Sequence, residues 1–149
     1  VKVFETKQVV ADGATEIDVV MNIGWMKSGM YDEVREELAA VVAAASGHQV
    51  KVILENAYLT KEEIVKACQL IEASGADYVK TSTGFAPTGA ILDDVKLMRA
   101  SVSSKMEVKS AGGVKNLDML LAFMDAGVKR SGASAAAAML DEFKERFGA

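Results

Sequence analysis

A lysine stands inside an apolar segment, Val79-Lys80-Thr81-Ser82-Thr83-Gly84-Phe85. Burying an ammonium without a partner is costly. Desolvation drives a lysine toward its neutral amine, and a neutral amine attacks carbonyl carbon. A second segment of the same design follows at Val108-Lys109-Ser110-Ala111-Gly112-Gly113. Two strand lysines, each leading into glycine-rich loop sequence, point to an imine-forming enzyme. Successive strand side chains face opposite ways, so Asp18, Glu55, Lys80 and Lys109 are expected to converge on one interior. Two ammonium groups held close together cannot both stay charged cheaply, so one proton affinity falls. The amine then forms a carbinolamine and an imine, and the imine acts as an electron sink for carbon–carbon cleavage. Asp18 and Lys109 could move the protons. The same spacing also fits buried Lys–Asp and Lys–Glu pairs that merely satisfy one another, and spacing alone leaves both readings open.

Glycine-rich turns add a second signal. Thr83-Gly84, Gly112-Gly113 and Gly132-Ala133-Ser134 each follow a predicted strand. Such loops offer backbone N–H groups and hydroxyls to a phosphate. One Gly-Gly pair is ordinarily just a turn. Three at equivalent strand ends argue for a phosphorylated substrate, with the last two strands in the usual phosphate position of a barrel. Other residues carry less. His48 has no partner in sequence, Trp25 and Met26 fall in a predicted loop (22–29) that lines a pocket or simply packs, and the eight methionines read as core filling. Zinc-ligand spacing, a Walker loop and a dinucleotide-binding glycine motif are all absent.

The elements that must position these groups follow from periodicity. Helices are predicted at 1–12, 31–46, 60–74, 91–103, 116–126 and 135–147, and strands at 15–22, 49–55, 77–82, 106–110 and 128–132. Regular alternation of strand and helix argues for α/β architecture with a parallel sheet, in one domain over 1–149. Gly13, Gly47, Gly75 and Gly127 occupy helix-closing positions, and Thr60 with Glu63 makes a capping box. Each strand pairs an apolar face with one bearing ionisable groups: Ile17 and Val19 against Glu16 and Asp18, Val50 and Val52 against Lys51, Val79 against Lys80, Val108 against Lys109. An open doubly wound sheet would be apolar on both faces. The alternation favours a barrel, whose interior holds functional side chains near its C-terminal mouth.

Half of the 149 residues are hydrophobic, and the net charge is −4. Charges of both signs are mixed along the chain, which gives no electrostatic reason to expect nucleic acid or an anionic membrane as a partner. No apolar run reaches the ~18 residues of a membrane span. The single cysteine, Cys68, excludes an internal disulfide, fits a reducing cytoplasm and reads as core.

At this level the chain resembles the deoxyribose-phosphate aldolase family. The resemblance rests on Glu16-Ile17-Asp18-Val19-Val20, Asn22-Ile23-Gly24, Lys51-Val52-Ile53-Leu54-Glu55, Gly75-Ala76-Asp77-Tyr78-Val79-Lys80-Thr81-Ser82-Thr83-Gly84-Phe85, Val108-Lys109-Ser110-Ala111-Gly112-Gly113 and Gly132-Ala133-Ser134. It implies a (β/α)8 barrel and reversible cleavage of 2-deoxy-D-ribose 5-phosphate to acetaldehyde and D-glyceraldehyde 3-phosphate, without metal or organic cofactor. It also implies Lys80 as the Schiff-base lysine, Asp18 and Lys109 as its proton-relay pair, and Gly84, Gly112, Gly113, Gly132 and Ser134 as the phosphate site.

The sequence departs from the family pattern in three places. Only five of eight barrel strands are predicted, the first three of the family are expected to lie outside this chain, and with no initiator Met a fragment is expected. A second serine, frequent in the family after the one matching Ser134, is Ala135 here. Ser110-Ala111 inverts the Ala-Ser of many relatives. Five strands leave two open edges, so the chain alone is expected to be poorly soluble or to self-associate as a homo-oligomer. The competing functions are a partial barrel serving only in assembly or partner binding, and another imine-forming aldolase acting on a ketose phosphate.

Overall fold

In a computed structural model describing residues 1–148, strands and helices alternate along the chain. The helices are α1 (Lys2–Ala11), α2 (Ile23–Lys27), α3 (Tyr31–Ala44), α4 (Lys61–Ala73), α5 (Leu92–Ala100), α6 (Leu117–Asp125) and α7 (Ala136–Phe147). The strands are β1 (Glu16–Val20), β2 (Gln49–Ile53), β3 (Tyr78–Lys80), β4 (Glu107–Ala111) and β5 (Arg130–Gly132). All neighbours are parallel and follow chain order, β1-β2-β3-β4-β5. This is the partial barrel that the alternation predicted. Among the described residues β1 and β5 each have one side without a strand partner. Lys2 covers part of the β1 edge by donating to the Val20 carbonyl at 2.8 Å.

The predicted faces hold. Ile17, Val19, Val50, Val52, Val79 and Val108 are buried beneath the helices. Against them lie Val34, Leu38 and Val41 of α3, Ile64, Cys68 and Ile71 of α4, and Val95 and Met98 of α5. These recur at three- and four-residue spacing, so each helix turns one stripe to the sheet. Each such side chain contributes about 1.5–3 kcal/mol when fully removed from water. Burial pushes the Cys68 thiol up to about 12. The capping box is present, with Glu63 N–H donating to Thr60 Oγ1 (3.2 Å) and Thr60 N–H to Glu63 Oε2 (2.7 Å). Gly13, Gly47, Gly75 and Gly127 close their helices at positive φ.

One local reading changes. The predicted loop at 22–29 contains α2, because the Asn22 side chain accepts from Trp25 N–H at 3.0 Å and starts a helical turn. Met26 is then driven into the core, with Trp25 packed beside it. After β2, residues Asn56–Tyr58 form a 3-10 turn.

Curvature matters most for the site. A flat sheet would hold β1 and β5 roughly 19 Å apart, farther than an Arg and a Glu side chain reach together. Yet Arg130 Nη1 on β5 lies 2.8 and 2.7 Å from the Glu16 carboxylate oxygens on β1. The sheet is therefore curled into an arc with its ionisable face inward.

Candidate active site

The inner face carries Glu16 and Asp18 from β1, Lys51 from β2, Lys80 from β3, Lys109 from β4 and Arg130 from β5. Parallel register sets Asp18 beside Lys51, and Lys80 beside Lys109. Asp18 sits at the centre. Its Oδ2 accepts from Lys80 Nζ at 2.5 Å and from Lys109 Nζ at 3.5 Å, and its Oδ1 lies 3.3 Å from Lys51 Nζ. Lys80 is buried and points inward, not beneath a helix. The spacing argument thus brings Asp18, Lys80 and Lys109 together.

Four cations face two carboxylates on this surface. Burial tends to raise the Asp18 pKa, but the hydrogen bond and charge of Lys80, with the charges of Lys109 and Lys51, hold it below the usual carboxylate range. Lys109 is pushed below the usual lysine value by desolvation first. Asp18 opposes that fall, while the neighbouring charges of Lys80 and Lys51 add to it. Glu16 is held at about 2 by hydrogen bonds from Arg130 and Lys51. The centre therefore combines an ionised carboxylate with an amine that surrenders its proton more readily than an ordinary lysine.

Glu55 does not join this cluster, contrary to the sequence expectation. It lies beyond the end of β2 with φ of +57°, in the left-handed region, so strand alternation no longer sets its direction. Its buried carboxylate accepts from the Thr83 N–H (3.2 and 3.3 Å) and from the Thr83 hydroxyl. Glu55 thus braces the β3–α5 loop at the residue next to Gly84.

All five predicted phosphate residues lie along one cavity. Gly84, Gly112, Gly113, Gly132 and Ser134 line a space of about 690 Å³ whose wall also includes Lys80 and Lys109. Lys115 and Ala135 line it too. Ala135 precedes α7 and makes no side-chain cap, so the first N–H groups of that helix lack the usual hydroxyl partner at the cavity rim. The Ser110-Ala111 inversion is accommodated simply. Ala111 faces the cavity, and the buried Ser110 Oγ shares a 2.7 Å hydrogen bond with Ser131 Oγ.

Sequence reasoning missed four participants. Lys51 was visible as an inward residue by the same alternation that selected Lys80, and so was Glu16. Arg130 needed the curvature of the sheet. Gly89 had no sequence signal beyond its type. A Cβ there would lie 2.1 Å from the Gly112 carbonyl oxygen, and Ala90 N–H donates to that same oxygen at 2.9 Å. The β3–α5 loop is thereby pressed onto the Gly112-Gly113 turn, backbone against backbone.

The DeoC/LacD family aldolase model matches residues 1–145. A deoxyribose-phosphate aldolase of Staphylococcus epidermidis is 54% identical over 135 residues, covering 91% of this chain and 61% of that protein. Deoxyribose-phosphate aldolase 1 of Staphylococcus aureus is 54% identical over 134 residues, covering 90% and 61%. The chain therefore spans about three fifths of the length of these relatives. Among solved structures, QR15, an aldolase, superposes with a TM-score of 0.91 at 40% identity, over 97% of this chain and 65% of its own. A tetrameric deoxyribose phosphate aldolase from Aeropyrum pernix superposes with a TM-score of 0.86 at 30% identity, over 97% and 61%. Matched over nearly its whole length, and with its lysine-lined arc superposing on solved aldolases, the chain belongs to the DeoC/LacD aldolase family.

Proposed function

We propose that the protein is a class I, lysine-dependent aldolase that reversibly cleaves 2-deoxy-D-ribose 5-phosphate to acetaldehyde and D-glyceraldehyde 3-phosphate. One observation carries the reading: Lys80 and Lys109 both reach the same oxygen of Asp18, at 2.5 and 3.5 Å, on the wall of a cavity edged by the three glycine-rich turns.

Each step has a candidate group. Lys80 Nζ attacks C1 of the open-chain sugar to give a carbinolamine. Loss of water, with a proton delivered to the departing hydroxyl, leaves an iminium. Removal of the C3 hydroxyl proton lets the C2–C3 bond break, and its electron pair flows into the iminium to form an enamine. The three-carbon aldehyde leaves, C2 gains a proton, and hydrolysis releases acetaldehyde. Asp18 touches both amines, and Lys109 has a lowered proton affinity, so this pair suits the proton transfers. The imine supplies the electron sink, and the chemistry calls for no added cofactor or metal. Gly84, Gly112, Gly113, Gly132 and Ser134 form the proposed phosphate cradle, with the α7 N-terminus and Lys115 favouring the anion. The excess of cations on the inner face favours an anionic substrate in the same way.

The cytoplasm is the proposed setting, in keeping with a single buried, unpaired cysteine. Self-association is part of the proposal, in keeping with the tetrameric assembly of the Aeropyrum pernix aldolase on which the chain superposes. Light scattering after size exclusion should find more than one copy, and a monodisperse monomer would overturn that part.

The decisive experiment is borohydride reduction in the presence of acetaldehyde. Mass mapping should find a two-carbon adduct on Lys80 that is absent from Lys80→Ala. A stable adduct elsewhere, with Lys80 unmodified, would reject the assignment. A substrate panel then separates the deoxypentose phosphate from ketose phosphates. Absence of any adduct would favour the non-catalytic alternative.

A further inference from the structure

The site has a third lysine that the imine chemistry leaves unused. Lys51 is 3% exposed at its side chain, less than either Lys80 or Lys109. Its Nζ lies 2.5 Å from Glu16 Oε2 and 3.3 Å from Asp18 Oδ1. Glu16 is in turn held by Arg130 across the arc at 2.7 Å, and the Arg130 guanidinium rests 5.3 Å above the Tyr78 ring. The two oxygens of Asp18 are thus divided. One faces Lys51, and the other faces the amine pair.

A carboxylate turns easily about its terminal torsion. An aspartate ringed by cations has several favourable orientations unless one oxygen is fixed. From this division of contacts we infer that Lys51 is a positioning residue: it holds Oδ1 of Asp18 so that Oδ2 stays aimed at Lys80 and Lys109, and Glu16 with Arg130 anchors Lys51 from the opposite edge of the sheet. The inference rests on the proposed Schiff-base reading. It assigns Lys51 no contact with substrate.

A passive ion pair and a positioning device differ in what their loss does. Lys51→Met keeps much of the volume but frees Oδ1 and removes one positive charge from the cluster. That charge is among the causes that lower the Lys109 proton affinity. Glu16→Gln does the reverse, removing a negative charge while leaving Asp18 as the only carboxylate near Lys51. The groups facing Lys51 across the inner surface are Glu16 and Asp18 on β1, Lys80 and Tyr78 on β3, Lys109 on β4 and Arg130 on β5. All but the substituted one stay in place in each variant.

The test is the rate and pH midpoint of acetaldehyde trapping at Lys80 by borohydride, followed by intact-mass spectrometry. Lys51→Met should slow trapping about tenfold or more and move the midpoint to higher pH by roughly half a unit or more. Glu16→Gln should move the midpoint the opposite way. Lys51→Arg should restore the midpoint. A merely structural Lys51 would lower thermal stability in Lys51→Met while leaving rate and midpoint at wild-type values, and that result overturns the inference. Glu16 is 41% exposed at its side chain, so if Lys51→Met fails to fold, Glu16→Gln decides alone. An unmoved midpoint in that variant also overturns the inference. If the wild-type protein itself forms no adduct at Lys80, the Schiff-base reading falls first, and the two failures are told apart.

Discussion

Asp18→Asn tests the centre of the site most directly. The substitution keeps shape but removes the one carboxylate that serves three ammonium groups, Lys51 at 3.3 Å, Lys80 at 2.5 Å and Lys109 at 3.5 Å. Removing one side of a buried ion pair costs about 3–5 kcal/mol. Asp18 keeps 34% of its side chain exposed, and solvent screening brings the expected loss to about 1–3 kcal/mol. For a chain of this size that lowers the melting temperature by roughly 2–12 °C. The effect on chemistry should be larger, because the proposed proton path between the amines runs through the Asp18 carboxylate. Loss of a general acid–base group ordinarily costs about a hundredfold or more. The assay is the rate of borohydride trapping of acetaldehyde at Lys80, read by intact mass and paired with a thermal melt. A folded Asp18→Asn protein that traps at the wild-type rate refutes the reasoning, whatever its melting temperature. The pH dependence has a definite sign. Asp18 has a lowered folded pKa, so its contribution to stability is complete above its unfolded value near 3.9 and is lost as pH falls below that. The stability gap between Asp18→Asn and wild type should therefore be full at pH 7 and close in strong acid.

Lys109 provides the complementary case. Its folded pKa is depressed, so the unfolded chain holds its proton more tightly, and stability should rise with pH as the lysine discharges below its ordinary value of 10.5. Denaturant melts from pH 7 to pH 10 should show wild type gaining on Lys109→Met, and parallel curves would contradict the lowered value. Gly89→Ala would place a Cβ 2.1 Å from the Gly112 carbonyl oxygen, forcing the β3–α5 and β4–α6 loops apart. Steady-state kinetics should show KM for the phosphorylated sugar rising more than about tenfold, with turnover of unphosphorylated 2-deoxyribose little changed; equal losses on both would argue against a phosphate role. Ala135→Ser restores a hydroxyl at the cavity rim before α7. One added hydrogen bond is worth about 0.5–1.5 kcal/mol, so inorganic phosphate should bind roughly two- to twelvefold tighter by calorimetry, and unchanged affinity would place the phosphate elsewhere.

The chain's local chemistry already contained the alternation of strands and helices, the apolar and ionisable faces, the helix-closing glycines and the Thr60–Glu63 box. These depend on short-range geometry. Alternation along each strand, with its apolar face turned to the helices, puts Asp18, Lys51, Lys80 and Lys109 each on the ionisable face of its own strand. The three glycine-rich turns were legible for the same reason, since each was placed at the end of a predicted strand. What the sequence could not decide was distance between elements. Glu55 leaves the amines because, two residues past the end of β2, it adopts φ of +57° and ends the alternation. Lys51 becomes part of the site because parallel register places it opposite Asp18. Arg130 meets Glu16 only because the sheet curls, and Gly89 matters only because a second loop's backbone presses against it. Periodicity fixes which way a side chain points. Which partner it finds there is set by register, curvature and loop packing, and those exist only once the elements have assembled.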